Sequence, residues 1–599
     1  MAELPDETGG IERPTPGYRG EAQFGSDVVA DALRATGIPW VALNPGASYR
    51  GLHDSLVNYL GNESPQMLVC LHEETAVAIA HGHAKAGGSM MAAAVHSNIG
   101  LMHATMAMFN AWCDRVPLMV IGATGPVDSV RRRPWIDWIH TARDQGALVR
   151  DYTKWDDQPA SAEAAREAVL RGNWIANTAP KGPVYINLDA QMQESRLDQP
   201  VSPIDAKRFM PPVSSGAAPA LVSRAAELLA QARRPLILSG RASRNIADWQ
   251  RRVALAESID AKVLTDLKVG ASFPTDHPAH GGAQGLIVAG APWTRVVSEA
   301  DVILSLDWVD LDGTLRTAVS GGTPDATVIH VSVDYQMHRG WSMDHLGLPA
   351  VDLFIPADPD QVLPMLLQAI ESMGPERLAR WLDAGEGGVT ADAVAGKDVD
   401  SVRSSAAADA GPIRVPDLAR ALRRSLGSRV STLARIPLTW DVEIWPFRHP
   451  LDYLGFNGGG GLAAGPGIAV GAALALRGSG RICIAFCGDG DFLMGVTALW
   501  TAARYRIPLL VVVYNNRGYF DDEMHQDRVA RARGRPVENR WIGQTITDPD
   551  VDIAGMARAQ GATGFGPVAD ADQLPAVLDQ AIAAVEAGAV VVVDVLTVA

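Results

Sequence analysis

Short runs of Val, Ile and Leu alternate along this chain with longer stretches whose apolar residues recur at helical spacing. The runs form three groups, within residues 21–195, 216–372 and 413–599. Strands that alternate with helices in this way pair in parallel, and the helices cover both faces of the sheet. The pattern therefore predicts an α/β protein with three domains, each a doubly wound parallel sheet.

The predicted strands are apolar runs that end in turns. They are VALNPG, MLVCL, MAAAVHS, PLMVIGATG and PVYINL in the first group, RPLILSG, DVILSLD and TVIHVSVD in the second, and RICIAFCGDG, IPLLVVVYNN and AVVVVDVL in the third. Residues 1–20 are polar and rich in Pro and Gly, which predicts an N-terminal tail. Residues 373–412 contain GEGG and SSAAADAG, which predicts a linker, with a helix at PERLARWLDA.

Charge and composition exclude several classes of protein. The formal net charge is −16, whereas proteins that coat nucleic-acid phosphates are usually basic. Four cysteines among 599 residues do not form a disulfide framework. The N-terminal residues lack the basic and apolar regions of a signal peptide, and no apolar run approaches the ~18–20 residues of a membrane span. We therefore expect a cytoplasmic protein with neither a nucleic-acid nor a membrane partner.

The third group contains a strand, a turn, a helix and a second strand, with polar residues at both strand ends. The first strand ends in Gly488-Asp489-Gly490, and the second ends in an asparagine pair that includes Asn516. The carboxyl ends of parallel strands lie side by side over the ligand crevice of an open sheet. Glycines let the backbone approach a diphosphate, and the helix that follows presents N–H groups to it.

A diphosphate carries more charge than backbone N–H groups neutralise, so this arrangement predicts a divalent metal. Mg²⁺ prefers oxygen ligands. Asp489 offers a charged oxygen, Asn516 a neutral one, and the main-chain carbonyl of Gly518 a third. Asp491 lies in the same turn and is a further candidate for contact with the ligand.

This segment resembles the thiamine diphosphate signature, in which GDG is followed at a set distance by Asn-Asn. Asp489 and Asn516 are 516 − 489 = 27 positions apart, which lies within the range of that signature. The resemblance implies that thiamine diphosphate and Mg²⁺ are the cofactors. It also implies that Gly488, Gly490 and Asp491 lie around the diphosphate.

The segment MLVCLHEETAVAIAHGHAKAGG resembles the strand, His-Glu pair and helix of the same enzymes. The resemblance implies that Glu73 is the acid that bonds the aminopyrimidine ring and activates the cofactor. Taken alone, the residues admit another interpretation, because glutamates also favour a helix start through the helix dipole.

Three further segments resemble benzoylformate decarboxylase and the wider acetolactate synthase superfamily: NPGASYRGLHDSL, VHSNIGLMHATMAMFNAWCDRVPL and GPVYINL. The resemblance implies a pyrimidine-binding domain (21–195), a middle domain (216–372) and a diphosphate-binding domain (413–599). It also implies a catalytic histidine at His96 and a glutamine near the cofactor at Gln145.

The chain departs from these decarboxylases at several site positions. Ala47 stands where they carry a catalytic serine, with Ser48 beside it, and His103 stands where they carry an asparagine. His103 fits either an active-site role or a packed helix residue. In GFNGGGGLAAGPG, the resemblance implies that Gly459 provides a carbonyl to the pyrimidine amino group and that Leu462 replaces the large side chain that props the cofactor in its bent shape.

These features predict an enzyme that breaks or makes a carbon–carbon bond beside a carbonyl. The favoured activity is a 2-keto acid decarboxylase or carboligase acting on a small-molecule carbonyl substrate, and a lyase of 2-hydroxyacyl or 1,2-dicarbonyl compounds is the alternative. An FAD-containing oxidoreductase and a non-catalytic paralogue are less favoured, because SGRASRN is not a GxGxxG fingerprint and Glu73 is present. The resemblance implies a homodimer or homotetramer with shared active sites, and residues 519–545 resemble a lid.

Overall fold

A computed structural model gives the fold of the chain. It describes residues 12–15, 20–210, 212, 214–285, 293–322, 324–337, 346–373 and 412–598. Most of the predicted tail lies outside the described residues. So does almost all of the predicted linker, including the helix expected at PERLARWLDA.

The first sheet has six strands in the order β2-β1-β3-β4-β6-β5, and all neighbours pair in parallel. The strands are β1 (Trp40–Leu43), β2 (Gln66–Val69), β3 (Met91–Ala94), β4 (Leu118–Thr124), β5 (Trp155–Asp157) and β6 (Pro183–Asp189). The helices are α1 (Gly25–Ala35), α2 (Arg50–Asp54), α3 (Glu73–Gly87), α4 (Ser97–Cys113), α5 (Ala162–Asn177) and α6 (Ala190–Glu194).

The second sheet has the order β12-β11-β10-β7-β8-β9, again entirely parallel. This is the strand order of dinucleotide-binding folds. The strands are β7 (Pro235–Ser239), β8 (Lys262–Asp266), β9 (His280–Gln284), β10 (Val302–Leu306), β11 (Thr327–Val331) and β12 (Leu353–Ile355). The helices are α7 (Pro219–Gln231), α8 (Ile246–Ser258), α9 (Trp293–Glu299), α10 (Leu311–Ala318) and α11 (Pro359–Ser372).

The third sheet has the order β13-β14-β15-β17-β16 and is parallel throughout. The strands are β13 (Ser431–Arg435), β14 (Ile482–Gly488), β15 (Leu509–Asn515), β16 (Thr563–Val568) and β17 (Val590–Leu596). The helices are α12 (Val415–Leu426), α13 (Ala464–Ala475), α14 (Asp489–Gly495), α15 (Ala498–Arg504), α16 (Phe520–Ala532), α17 (Ile553–Ala559) and α18 (Leu574–Glu586). A parallel bridge from Leu433 to Tyr453 extends this sheet beyond β13, so its order matches that of the first sheet.

The prediction of three parallel-sheet α/β domains is confirmed, and all eleven predicted runs form strands. Six other strands were not predicted: β5, β8, β9, β12, β13 and β16. Several of these are polar or glycine-rich, such as WDD in β5, HGGAQ in β9 and TGFGPV in β16, so they lack an apolar run. The domain boundaries at 21–195, 216–372 and 413–599 stay predictions.

Helices α3 and α13 join the first and third domains through one continuous apolar core. The two backbones approach closely because each helix has a glycine where it meets the other. A Cβ atom at Gly82 would lie 2.0 Å from the main-chain oxygen of Ile468, and one at Gly471 would lie 1.9 Å from that of Ile79. Only residues without a side chain fit at these two positions.

The guanidinium of Arg244, in the middle domain, contacts both of the other domains. It donates hydrogen bonds to the main-chain oxygens of Lys85, Pro450, Tyr453 and Leu454. Burial lowers the pKa of Arg244 to about 10, so the side chain stays cationic at neutral pH. A buried charge is tolerated there because backbone carbonyls saturate its donors.

The described residues bear on the predictions about membrane spans and about the cysteines. Among them, none of the helices combines the length and the apolar character needed to cross a membrane. All four cysteines are free thiols, and Cys70, Cys483 and Cys487 are buried.

We expect Gly471→Ala to destabilise the protein, because the added Cβ meets main-chain atoms that no side-chain rotation relieves. Overpacking of this kind costs about 1–3 kcal/mol, more than the ~1 kcal/mol gained in helix propensity. The matched control is Gly172→Ala in α5, where the nearest atoms would lie at 3.4 Å. Urea unfolding measures both variants. A Gly471→Ala midpoint equal to that of Gly172→Ala would show that the helix pair tolerates separation.

Candidate functional site

The first domain places its site residues where the direction of strand addition reverses. The chain passes from β1 to β2 on one side and then crosses to β3 on the other side of β1. Ligands of open α/β sheets bind outside the carboxyl ends of the strands at such a switch point. The segments that leave β1, β2 and β3 there carry Ser48, Glu73 and His96.

Glu73 is the first residue of α3, and its side chain is only 8% exposed. Its Oε2 lies 3.0 Å from Nδ1 of His103 on α4, and the His103 side chain is 51% exposed. Helix α4 comes this close because residue 100 is glycine: a Cβ at Gly100 would lie 2.8 Å from Oε1 of Glu73. The predicted residues Glu73 and His103 are therefore in contact, and His103 connects the buried carboxylate to solvent.

His72, Glu73 and His103 also have the composition of a metal site, with ligand atoms within 4.8 Å of one another. The rings of His72 and His103 are stacked, however, with centroids 4.8 Å apart and planes inclined by 23°. The lone pairs of an imidazole lie in the plane of the ring, so two nearly parallel rings do not aim at one ion. The geometry favours an acid–histidine pair over a metal centre.

His96 follows β3 and caps α4. Its Nδ1 lies 2.9 Å from Oγ of Ser48, and the ring of His140 meets it edge-on at 4.6 Å. Burial, followed by the nearby His140, lowers the pKa of His96. Ser48 was not among the predicted site residues, although its place beside Ala47 was a signal that could have identified it.

Gln145 is fully buried beside the carboxyl ends of β4 and β6. Its Nε2 lies within hydrogen-bond distance of three acceptors: the main-chain oxygen of Ala123 at 3.2 Å, the Tyr185 hydroxyl at 2.7 Å and Oδ1 of Asn187 at 3.2 Å. Its Oε1 has no hydrogen-bond partner within the described part of the chain. A role at the cofactor stays a prediction for this residue.

In the third domain, Asp489 and Asn516 converge on one backbone group. The N–H of Gly518 lies 2.9 Å from Oδ2 of Asp489 and 3.2 Å from Oδ1 of Asn516. Burial raises the pKa of Asp489 to about 6, and no lysine or arginine among the described residues forms an ion pair with it. Two oxygens of the type that Mg²⁺ prefers, one on a carboxylate without a cation, fit a divalent metal.

The glycines around Asp489 give the turn its shape. Gly488 is the extended residue that precedes α14, and no side chain caps this helix. A Cβ at Gly490 would lie 2.7 Å from the ring of Tyr519. Gly490 therefore lets Tyr519 pack against the turn, whereas a Cβ at Gly488 would make an ordinary contact with Tyr514 at 3.6 Å.

Asp491 lies in the same turn but is engaged elsewhere. Its Oδ2 lies 3.1 Å from Nε of Arg435 at the end of β13, and both side chains are buried. The cation also covers the ring of Phe456 at 4.4 Å. Arg435 therefore neutralises the buried charge of Asp491. The sequence contains no local signal for this pair, because only the pairing of β13 with β14 brings the two residues together.

The glycine loop that precedes α13 packs on α4 of the same chain. A Cβ at Gly459 would lie 2.5 Å from Oδ1 of Asn110, and Nδ2 of Asn457 donates to the main-chain oxygen of Gly461 at 2.8 Å. Leu462 is 39% exposed. The roles predicted for Gly459 and Leu462 stay predictions.

The middle domain has its own switch point, between β7 and β10, and buried ion pairs lie at it. Nη1 of Arg241 lies 3.2 Å from Asp334, and Nε of Arg115, from the first domain, lies 2.6 Å from the same carboxylate. A Cβ at Gly240 would lie 2.2 Å from the main-chain oxygen of Asp307. These ion pairs and this close contact lie in the described part of the switch point.

Family models match all three domains. The N-terminal TPP binding domain of thiamine pyrophosphate enzymes matches residues 24–148, the central domain matches 222–365, and the C-terminal TPP binding domain matches 438–595.

Curated relatives and solved structures agree with these matches. The chain is 26% identical over 510 residues to the probable acetolactate synthase large subunit of Methanocaldococcus jannaschii, covering 82% of this chain and 80% of that protein. It is 25% identical over 585 residues to the benzoylformate decarboxylase of Pseudomonas aeruginosa, covering 92% and 96%. The crystal structure of benzoylformate decarboxylase from Polynucleobacter necessarius superposes with a TM-score of 0.74 at 20% identity, covering 96% of this chain and 99% of that one. The chain therefore belongs to the thiamine pyrophosphate enzyme family and is a thiamine diphosphate-dependent enzyme.

Proposed function

We propose that the protein is a 2-keto acid decarboxylase or carboligase that acts on a small-molecule carbonyl substrate. The observation that carries the proposal is the buried carboxylate of Glu73 at the switch point of the first sheet, with His96 on the next strand. The relatives named acetolactate synthase and benzoylformate decarboxylase support this reaction class.

The cofactor site draws on the third domain. Asp489, Asn516 and the Gly518 carbonyl are the proposed Mg²⁺ ligands, and the backbone at Gly488 and Gly490 binds the diphosphate. Gly459 and Leu462 are the proposed contacts to the pyrimidine ring and the bent cofactor. When bound, thiamine diphosphate supplies a carbon nucleophile that adds to a carbonyl and takes up the electron pair of the adjacent bond as that bond breaks.

The chain's own residues divide the proton transfers between them. Glu73 holds a proton at the aminopyrimidine ring, and His103 exchanges protons between Glu73 and solvent. His96 lies on the substrate side, where an acid–base group contributes about 10²–10⁴-fold to the rate. Gln145 is proposed to contact the cofactor through its side-chain amide.

The active unit is proposed to be a homodimer or homotetramer with shared active sites. Glu73 and Asp489 belong to different domains, and α4, which carries His103, exposes Ile99 and Met102 in the single chain. A second copy that covers this surface would bring its own third domain to Glu73. The four free thiols support a reducing, cytoplasmic location.

A lyase of 2-hydroxyacyl or 1,2-dicarbonyl substrates is the second candidate. Ala47 has no hydroxyl group with which to contact a substrate carboxylate. Residues 519–545 form a charged segment that contains α16. Its two ends are joined by an antiparallel bridge between Gly518 and Thr545. Both features favour a substrate unlike those of the decarboxylases.

The reaction class is tested by incubating the purified protein, thiamine diphosphate and Mg²⁺ with pyruvate, benzoylformate and a 2-hydroxyacyl thioester. We expect CO₂ release from a 2-keto acid. Glu73→Gln should lose about 10²-fold or more of this activity, since the substitution removes the carboxylate but keeps its size. Cleavage of the thioester without CO₂ would select the second candidate, and the absence of any turnover would refute both.

Asp489→Ala should abolish retention of the cofactor, because the diphosphate would face an incompletely held cation. Intrinsic tryptophan fluorescence, titrated with thiamine diphosphate in the presence of Mg²⁺, measures the affinity. Asp572→Ala, which removes an exposed acid of the same domain, is the control. Equal affinity in the two variants would reject the assigned ligand.

The same variant tests the shared active site. Dissociated chains of Asp489→Ala and Glu73→Gln are mixed and reassembled, so that one composite site contains both intact residues. We expect activity to return. Mixed oligomers that form but stay inactive would place each site within one chain.

Gly100→Ala should impair the enzyme without unfolding it. The added Cβ meets the end of the Glu73 side chain, which must turn away, whereas in Gly172→Ala the contacts are ordinary. We expect a loss of turnover of at least about 10-fold for Gly100→Ala alone, with thermal midpoints no lower than that of the wild type in both variants. Turnover equal to that of the wild type would show that the activity does not depend on this position of the Glu73 carboxylate.

A further inference from the structure

We propose that Ser48 is a positioning residue that holds neutral His96 as the tautomer with its proton on Nε2. His96 then faces the substrate as a hydrogen-bond donor to its carbonyl oxygen. The inference deepens the proposed function and rests on the substrate-side role given there to His96.

The argument begins with the surroundings of the Ser48 hydroxyl, which is buried. The backbone N–H of Ser97 donates to Oγ at 3.1 Å, and Nδ1 of His96 lies at 2.9 Å. A hydroxyl has one hydrogen to donate, and buried polar groups are almost always hydrogen-bonded. Among the described residues, Nδ1 of His96 is the acceptor within reach, so Ser48 donates to it.

The opposite arrangement is disfavoured. If Nδ1 carried the proton and donated to Ser48, Oγ would accept two hydrogen bonds and its own hydrogen would have no partner in a buried site. With Nδ1 accepting, the buried hydroxyl of Ser48 has a partner for its hydrogen, and the proton of the neutral ring lies on Nε2. No hydrogen-bond partner for Nε2 is present among the described residues, which leaves it for a ligand.

Both side chains are held in place, so the hydrogen bond has a defined geometry. Nε2 of Gln193 donates to the main-chain oxygen of Ser48 at 3.1 Å. On the histidine side, a Cβ at Gly46 would lie 2.3 Å from Cβ of His96, and the edge of His140 lies against the ring. The glycine and His140 therefore confine the imidazole.

The charge state of His96 agrees with this role. Burial and His140 lower its pKa, Arg133 acts in the same direction, and Glu73 opposes them. The ring is thus neutral at pH 7, and its tautomer decides whether it donates or accepts at Nε2. A neutral imidazole that donates from one nitrogen suits polarisation of a carbonyl, not removal of a proton.

The tautomer is measured directly in the full-length protein labelled with ¹⁵N-histidine. The His96 nitrogens are identified by their loss in His96→Gln. We expect the wild type to show a protonated Nε2 and an unprotonated Nδ1, and Ser48→Ala to populate both tautomers. Ser48→Thr keeps a hydroxyl and should preserve the wild-type tautomer. Ser55→Ala removes another buried serine of this domain, bonded to Ser26 and Asp27, and should change nothing.

Kinetics give the second readout. Ser48→Ala should lower kcat/KM by about 10–100-fold, the usual effect of removing a group that orients a functional histidine, with Ser48→Thr restoring most of it. A wild-type ring protonated on Nδ1, or an unchanged tautomer in Ser48→Ala, would overturn the proposal. The NMR result needs no substrate, so it decides the role of Ser48 even if no 2-keto acid is turned over.

Discussion

The close packing of α3 against α13 is the contact on which the rest of the site depends. Helix α3 begins at Glu73, and α13 begins directly after the glycine loop that contains Gly459. The two backbones meet through Gly82 and Gly471, where any side chain would overlap main-chain atoms. One rigid contact thus sets the positions of the acid in the first domain and the glycine loop in the third.

The first and third sheets share a strand order but present different chemistry at their switch points. The first carries a buried carboxylate, Glu73, and the imidazole of His96. The third has the oxygen pair of Asp489 and Asn516. A common topology therefore provides two crevices, and the residues at the strand ends give one a carboxylate and histidines and the other a pair of oxygens that fits a divalent metal.

Several buried carboxylates near these crevices are neutralised by arginines of the same chain. Arg435 pairs with Asp491, and Arg241 and Arg115 share Asp334. Asp489 has no such partner within the described part of the chain. An unpaired buried carboxylate is costly, so a bound cation would have a large stabilising effect at this position. The middle domain is connected to its neighbours through Arg244 and through the pair of Arg115 with Asp334.

The sequence by itself determined the fold class, the eleven apolar strands and the motif residues, because apolar periodicity and glycine-acid turns are local properties of the chain. It did not reveal strands such as β9 and β16, whose polar and glycine residues become strands only by pairing with a neighbour. Nor did it reveal the shared strand order of the outer sheets. The contacts of Ser48 with His96, His103 with Glu73 and Arg435 with Asp491 join residues 48, 30 and 56 positions apart. Only the tertiary structure decided them, since parallel pairing and helix packing bring strand ends together irrespective of their separation along the chain.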